Sequence, residues 1–407
     1  MSNIIFVSHI QHKIFEKRRC EMKQLSKKEF FVKKDRIIIG FLGLLLCLFI
    51  VNRSDFSHIS NEEQFIIERG RVVDIHFENM QPDLYIPTLN VGSQVVEIEL
   101  LSGKFKGETV QVENVLTRFH NFQLTEGSNV SVSIWAHATT LDPYDISIYG
   151  PSRGPVIILT LIVLGIGMVI VGRSKGVYAL ISLGLTFTVI IFYLVNGIVS
   201  GGSPVVLSII TSLIIISFTT SMISGASKET LAAISGALVG LISAGIASVV
   251  LGRLIQITGI NLESVRHVLY HSPPNTVIRI QELFFAVVII AVTGAMIDSS
   301  ISISSASFEI IANSPNKTWK ELYKNNMYVA RSVLGANINT LILAFAGTSL
   351  ITVVLIVLFG FSNLRIMNME LVAIEIIKGS SATLGMLVGL PATAFFSARL
   401  ATWSKKK

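Results

Sequence analysis

Residues 155–172 read PVIILTLIVLGIGMVIVG, a run without one charged side chain. A helix over this run rises about 27 Å, close to the roughly 30 Å hydrocarbon core of a bilayer. Runs of similar character recur through the C-terminal half of the chain. They lie at Gly176–Val195, Val205–Ile223, Leu231–Leu251, Glu282–Ile303, Asn337–Gly360 and Gly379–Ala401. Together with Pro155–Gly172 they predict seven membrane-spanning helices over residues 154–402.

The composition agrees with this prediction. A soluble domain carries about 25% charged residues, whereas this 407-residue chain carries 14% and is 51% hydrophobic. A soluble fold would have to bury all seven runs in a single core. The chain is therefore predicted to be mostly α-helical, as a polytopic bundle in a lipid bilayer.

An eighth span is predicted near the N-terminus. Ile37–Val51 is apolar and is followed by Asn52 and Arg53, without the small-x-small pattern of a signal-peptide cleavage site. Residues 37–52 are interpreted as an uncleaved signal-anchor helix. Met22 stands just before the basic flank of this run, so it is an alternative start to Met1.

The distribution of charge predicts the orientation. Residues 1–36 hold ten Lys or Arg against four Asp or Glu, and the tail 403–407 ends in three lysines. Residues 53–153 hold seven basic and fourteen acidic side chains. Basic flanks mark the cytoplasmic side, so both termini are predicted to be cytoplasmic and residues 53–153 extracytoplasmic. Loop 252–280 runs against the pattern. The net charge of +7 belongs to the membrane flanks, and no nucleic-acid partner is predicted.

Residues 53–153 show the period-two alternation of half-buried strands. The runs are 95–100, 109–113, 130–134 and 145–149, with turn residues between them. They predict a small all-β domain of about five strands between the first and second spans. A ligand-binding role and a spacer role both remain open for it. Cys20 and Cys47 lie outside this domain, so no disulfide is predicted in it.

Small residues have the spacing of helix contacts in membranes. Gly236 and Gly240 are four apart, as are Gly385 and Gly389. This spacing lets two helix backbones approach closely. Pro391 removes one backbone donor and should kink the last span.

One predicted span carries a polar stripe with a carboxylate. Asp298, Ser302, Ser305 and Glu309 lie at offsets of 4, 7 and 11, which return to the same helical face. A carboxylate in lipid is costly and should face the bundle interior or water. The stripe predicts an ion or substrate pathway. The alternative is that Asp298 lies near the cytoplasmic interface and is solvated or paired there.

Two further groups of polar residues are candidates. Asn337 and Thr340 share one face of the next span, while Asn339 points elsewhere. Such side chains either coordinate a solute or only bond neighbouring helices. Glu375 and Lys378 are three apart and are expected to neutralise each other on a helix surface.

Three segments resemble the YibE/F family of bacterial membrane proteins. They are residues 294–309, GAMIDSSISISSASFE, residues 335–347, GANINTLILAFAG, and residues 375–394, which run from EIIKGSS to LPATA. The outer-domain residues 103–108, GKFKGE, with 112–114, VEN, are also similar. The resemblance covers residues 65–404 and implies a multi-pass protein of the bacterial cytoplasmic membrane. It implies no particular biochemical activity.

These features fit three function classes to different degrees. A secondary transporter comes first, with Asp298 binding a proton or cation and Asn337, Asn339 and Thr340 coordinating a small solute. No Gly-rich ATP-binding loop is present, so an ion gradient would drive it. An envelope assembly or sensing protein, with a companion protein or a second copy as partner, is the alternative. An enzyme is not expected. A membrane aspartyl protease needs two membrane aspartates, and only one is evident in the predicted spans; all eight histidines lie outside these spans, which disfavours a Ser-His dyad or a His-ligated metal site in the bilayer. No cofactor or metal site is predicted.

Overall fold

The structure is a computed structural model that describes residues 40, 43, 63–137, 143–260, 263–271 and 278–403. These residues form two compact units: one ends at Met168, and the other comprises the residues from Val169 onward together with Gly40 and Gly43. The segments 1–36 and 404–407 lie outside the described residues. So does the predicted anchor 37–52, except for two helical glycines, of which Gly43 packs against Phe218.

The N-terminal unit is built on one antiparallel sheet of five strands in the order β3-β2-β1-β4-β5. β3 and β5, at opposite ends of this order, also approach each other, so the sheet curls around its core. The strands are β1 Glu63–Pro82, β2 Asn90–Leu100, β3 Thr109–Leu116, β4 Asn129–His137 and β5 Pro143–Pro151. The predicted small β-domain of about five strands is confirmed.

Alternation explains which side of the sheet is buried. Val96, Ile98 and Leu100 of β2 point inward, while the residues between them are partly exposed. The core adds aliphatic side chains from every strand and from one connecting loop, among them Val72, Val112, Leu124, Val132, Ile134 and Ile148. Burial of such side chains is the main stabilising term of a small domain.

The central strand β1 did not stand out in the sequence. Two register shifts interrupt it, one between Val72 and Asp74 and one between Ile75 and Phe77. Each extra residue moves the following side chains to the opposite face. The alternation is therefore broken in the middle of the longest strand, although its pairing with β2 and β4 is extensive.

The second unit is helical, and the first helix begins within the N-terminal unit. Two helix starts follow from the sequence. Pro204 is the first residue of the helix Pro204–Ser224, where a backbone N–H would have no partner within the helix and proline has none. Ser227 precedes the helix Lys228–Leu254 and caps it by accepting a hydrogen bond from the Thr230 N–H at 3.2 Å. The helices are α1 Gly154–Thr188, which continues through a π-helical segment Val189–Val195 into α2 Asn196–Val199, then α3 Pro204–Ser224, α4 Lys228–Leu254, α5 Glu263–His271, α6 Ile280–Asn313, α7 Trp319–Thr348, α8 Leu350–Leu358, α9 Asn363–Met367 and α10 Glu370–Trp403.

Within the described residues, six helices are long and apolar enough to cross a membrane: Gly154–Val199, Pro204–Ser224, Lys228–Leu254, Ile280–Asn313, Trp319–Thr348 and Glu370–Trp403. The most apolar stretch of the first has no residue buried in the protein. Such a surface suits lipid and not water. These helices mark the chain as a membrane protein.

Two predicted spans fall in the first of these six helices. Its 46 residues would rise about 69 Å as one straight helix, more than twice the hydrocarbon thickness. Arg173, with φ 49° and ψ −131°, breaks the helical backbone between the two predicted spans. Eight spans were predicted. Because Arg173 divides the first helix into two parts, the six helices cover the positions of seven of these spans.

The span predicted at Asn337–Gly360 has different bounds in the structure. α7 starts at Trp319 and ends at Thr348, and a separate short helix, α8, follows. The first half of α7 contains four charged residues, Lys320, Glu321, Lys324 and Arg331. They make this part of the sequence too polar to be recognised as part of a membrane span. Loop 252–280, which ran against the charge pattern, contains the short helix α5.

Three of the four predicted contact glycines, Gly240, Gly385 and Gly389, meet where α4 crosses α10, and Gly236 lies against Thr393 of α10. A methyl group on Gly385 would lie 2.6 Å from Ala244 Cβ and 2.9 Å from the Gly240 carbonyl oxygen. One on Gly389 would lie 2.7 Å from Gly240 Cα. These positions must be glycine for the backbones to approach this closely. We call this crossing the glycine contact.

Candidate functional site

Asp298 lies on α6 at a cavity of about 350 Å³ between the second half of α1, α3 and α6. Its neighbours in the cavity wall include the aliphatic side chains of Ile215 and Ile297. Asp298 itself is exposed to the cavity and its surroundings. It is the one charged residue among those that line this cavity.

Hydroxyl groups make up the rest of the polar wall. Ser182 and Thr186 come from α1, Thr219 from α3 and Thr293 from α6. The Ser182 and Thr219 hydroxyls are 2.6 Å apart, and Thr293 Oγ1 lies 2.8 Å from the buried Ser212 Oγ. Three helices therefore contribute oxygen atoms to one cavity beside a carboxylate. Sequence reasoning missed these hydroxyls, because helical periodicity does not show which helices are neighbours.

The rest of the predicted stripe does not extend this cavity. Ser302 does not line the cavity, and its hydroxyl donates to the Asp298 carbonyl oxygen at 2.8 Å. Ser305 donates to the carboxylate of Glu229 at the start of α4. Glu309 is exposed. The four residues share one face of α6, as predicted, but they meet different surroundings along it.

The polar residues of α7 do not face Asp298. The Asn337 side chain donates to Ser299 Oγ, and Ser299 is fully buried. Adjacent residues on a helix point about 100° apart, so this contact lies on a different side of α6 from Asp298. The described lining of the Asp298 cavity includes no α7 residue. Asn337 is therefore placed against Ser299 and not beside the Asp298 carboxylate.

Asn339 and Thr340 are not brought to the cavity either. Both are exposed along α7. Thr340 Oγ1 donates to the Ala336 carbonyl oxygen at 3.0 Å, a bond within the same helix. Their position on α7 gives them no contact with the predicted carboxylate stripe.

Glu375 lies at a second, larger cavity of about 800 Å³, between α4, α7, α8 and α10. Its Oε1 accepts from Lys378 Nζ at 2.9 Å, which confirms the expected pair. Its Oε2 is buried and has no hydrogen-bond partner within the described residues. Most of the cavity wall is aliphatic or aromatic, as at Ile342, Phe345 and Leu384.

A buried polar cluster in the helical core was not predicted. Asn326 of α7 is fully buried and donates to Ser307 Oγ at 2.9 Å and to the Ala394 carbonyl oxygen at 3.1 Å. Ser300 and Thr393 lie 3.2 Å apart between α6 and α10. Ser300 and Ser307 are seven apart on α6, a helical spacing that marks this face in the sequence. Interhelical bonds of this kind hold membrane helices together.

In the described part of the chain, one group of side chains could hold a metal ion. Asp74, His76 and Glu97 come together on the sheet, with ligand atoms all within 4.8 Å of one another. His76 Nδ1 lies 3.3 Å from Asp74, and its Nε2 lies 3.3 Å from Glu97. All three are substantially exposed, so a histidine bridging two carboxylates accounts for the arrangement without an ion.

A second ionic contact lies at the loop after β1. Arg118 Nε donates to Asp83 at 2.8 Å, and its guanidinium lies 4.7 Å from the Tyr85 ring centre. Asp83 also accepts from the backbone N–H groups of Tyr85 and Ile86. The hydrogen bond from Arg118, followed by those two backbone bonds, lowers the pKa of Asp83.

The sequence profile of the family described as YibE/F-like protein matches residues 160–403, more than half of the chain. The chain belongs to the YibE/F-like family. The match contains both cavities and the glycine contact, and the five-stranded sheet lies outside it. The resemblance inferred from the segments 294–309, 335–347 and 375–394 is thereby confirmed. Comparison with curated proteins and with solved structures gave no significant match.

Proposed function

We propose that this YibE/F-like protein is a secondary transporter in which Asp298 binds and releases a proton or a monovalent cation. The observation that carries the proposal is the cavity at Asp298, which a single carboxylate lines together with hydroxyl-bearing side chains from three helices. Ionisable residues inside membrane bundles are costly, and they commonly mark ion pathways.

The chemistry of the cavity fits a small cation. Carboxylate and hydroxyl oxygens are the ligands that hard cations prefer. No cationic side chain is among the lining residues, so an arriving proton or ion has no internal competitor there. Neutralising Asp298 would also lower the cost of exposing this site to apolar surroundings.

The larger cavity beside Glu375 is the proposed position of the transported solute. Its volume of about 800 Å³ lies within the roughly 300–1,000 Å³ of small-molecule sites. The apolar wall would contact the body of a small solute, and the unpartnered Glu375 Oε2 would accept a hydrogen bond from it. Asn337, Asn339 and Thr340 lie outside this lining and are not assigned to the solute.

The proposal includes no enzymatic step and no cofactor. The sequence has no ATP-binding loop, which supports coupling to an ion gradient. The proposed location is the bacterial cytoplasmic membrane with both termini cytoplasmic, supported by the basic flanks of the apolar segments. A homo-oligomer or a companion membrane protein is compatible with this role.

The test is cation binding to the purified full-length protein in nanodiscs. Thermal unfolding is followed while Na⁺ concentration and pH are varied. We expect Na⁺ or protons to shift the melting temperature of the wild type and to leave Asp298→Asn unshifted. Glu309→Gln is the matched control, because Glu309 is an exposed carboxylate on the same helix. An Asp298→Asn response equal to that of the wild type contradicts the proposal.

Transport itself is tested in proteoliposomes under an imposed Na⁺ or pH gradient. A panel of small solutes is screened for gradient-driven uptake, and the positive solutes are tested on Asp298→Asn. Uptake should fall at least ten-fold in the variant and persist in Glu309→Gln. Unchanged uptake by Asp298→Asn would show that the carboxylate does not couple the gradient.

The alternative function, envelope assembly or sensing, is favoured by a surface of the sheet domain. Leu84, Tyr85 and Phe119 are 86%, 75% and 102% exposed, and the Asp83–Arg118 pair links the two segments that carry them. Exposed large apolar side chains grouped in this way commonly mark a protein interface. A photocrosslinker at Phe119 in native membranes should capture one envelope protein, and a crosslinker at Lys104 should not. Equal labelling from both positions would remove this support.

A further inference from the structure

A concave surface lies where α7 begins and α10 ends. We call it the basic notch and define it by Lys317, Thr318, Trp319, Arg399, Thr402 and Trp403, which line a cavity of about 610 Å³. It shares no lining residue with the Asp298 cavity or the Glu375 cavity. Neither the transport proposal nor its alternative uses it.

Cations are held in place around the notch by tryptophan rings. The Arg399 guanidinium carbon lies 4.7 Å from the Trp319 ring centre, and Lys228 Nζ lies 5.2 Å from that of Trp403. Lys320 Nζ is 5.9 Å from Trp319. Stacking of this kind stabilises a cation without neutralising it. The positive charges therefore remain available to an anion.

The notch keeps a net positive charge after its acidic neighbours are counted. Lys317, Lys320, Lys228 and Arg399 form no ion pair with a carboxylate in the described ranges. Glu321 is the acidic residue in the first turn of α7. Its carboxylate accepts from the Thr318 N–H at 2.9 Å in a capping box and acts electrostatically on Lys317. Glu229 follows Lys228 in the first turn of α4. Counting both carboxylates against the four cations leaves a net charge of two.

We propose that the basic notch binds a phosphate group, carried by an anionic lipid headgroup or by free phosphate. Arg and Lys are the side chains that bind phosphate oxygens, Arg in a bidentate manner. Trp is typical of the membrane–water interface, and clustered Lys and Arg beside a membrane helix bind anionic headgroups. The cavity has room for a phosphate with its glycerol. Three more lysines, Lys405 to Lys407, follow in the sequence.

The test uses full-length protein in phosphatidylcholine nanodiscs and follows tryptophan fluorescence. Two of the three tryptophans in the chain, Trp319 and Trp403, are in the notch. One arm adds short-chain phosphatidylglycerol, a second adds inorganic phosphate, and a third adds short-chain phosphatidylcholine as the neutral control. We expect a saturable change with at least one phosphate anion and none with phosphatidylcholine.

The variants are Lys317→Gln with Arg399→Gln, and Lys324→Gln as the matched control. Lys324 is an exposed lysine of α7 that does not line the notch. Each cation near a membrane surface contributes about a five-fold gain in affinity for an anion. The double variant should therefore lose about 25-fold, and the control should keep wild-type affinity. If the double variant does not fold, Lys317→Gln alone should lose about five-fold.

The two arms separate the sources of the phosphate. Saturation by phosphatidylglycerol alone assigns the notch to a lipid headgroup, and inorganic phosphate that binds and displaces the lipid assigns it to free phosphate. No saturable change with either anion overturns the proposal, as does a double variant that binds as the wild type does. Transport is not measured in this experiment, so its result is independent of the role of Asp298.

Discussion

Replacing Gly385 by alanine should separate the two central helices. The added methyl carbon would lie 2.6 Å from Ala244 Cβ and 2.9 Å from the Gly240 carbonyl oxygen. Carbon atoms pack at about 3.5–4.0 Å, so the helix axes must move apart by about 1 Å. Neither neighbour is the free end of a flexible side chain, and rotamer changes cannot relieve the contact.

The expected cost follows from this geometry. Overpacking by one methyl group in a dense core costs about 1–3 kcal/mol, and the lost interhelical contacts add to it. Alanine gains about 0.5–1 kcal/mol over glycine in helix propensity. The net change for Gly385→Ala should therefore be destabilising by about 1–2 kcal/mol, because packing outweighs propensity.

Gly379→Ala is the matched control on the same helix. An added methyl group there meets no atom within 4 Å, so only the propensity gain of about 0.5–1 kcal/mol remains. Thermal unfolding of both variants in the same detergent gives the comparison. Gly385→Ala should melt lower than the wild type, and Gly379→Ala should melt at the same temperature or higher. Equal shifts of the same sign in the two variants would refute the assignment of Gly385 to a steric contact.

Three further predictions concern other parts of the molecule. Asn326→Ala removes two buried hydrogen bonds and should destabilise the helical unit by about 1–3 kcal/mol, measured by the same unfolding assay. Because the folded pKa of Asp83 is lowered, its ion pair should stabilise the sheet domain above the unfolded pKa of about 3.9 and cease to do so as pH falls through the folded pKa; circular dichroism of Arg118→Gln should show less of this acid dependence than the wild type. Gly70→Ala should destabilise the sheet, because its methyl group would lie 2.5 Å from Ile98 Cγ2; limited proteolysis should cut the variant faster, and unchanged proteolysis would contradict the packing.

The sheet shows what strand patterns reveal and what they hide. β2 and β3 bury every second residue, and that period is visible in the sequence. β1 has the same role in the sheet, but its two bulges shift the inward positions twice. A pattern search over a single period therefore finds the outer strands and misses the central one.

The helices show a different limit. The spacing of Gly236, Gly240, Gly385 and Gly389 predicted close contacts, because only glycine permits them. The spacing around Asp298 predicted a polar face but not its neighbour. α1 and α3 supply the opposing hydroxyls, while Asn337 binds Ser299 one position further along α6. Partner identity depends on the tertiary arrangement, which a single helix period does not contain.

The glycine contact also restricts which helices are able to move. The backbones of α4 and α10 interlock at the glycine contact and cannot slide past each other without first separating, so these two helices form a fixed pair. Glu370, the first residue of α10, adds a contact at one end of this pair. Its carboxylate accepts from the backbone N–H groups of Thr258 and Gly259, in the segment after α4, at 2.7 and 2.6 Å. Movement of one helix relative to this fixed pair is expected of α1 instead, because its most apolar stretch has no residue buried in the protein.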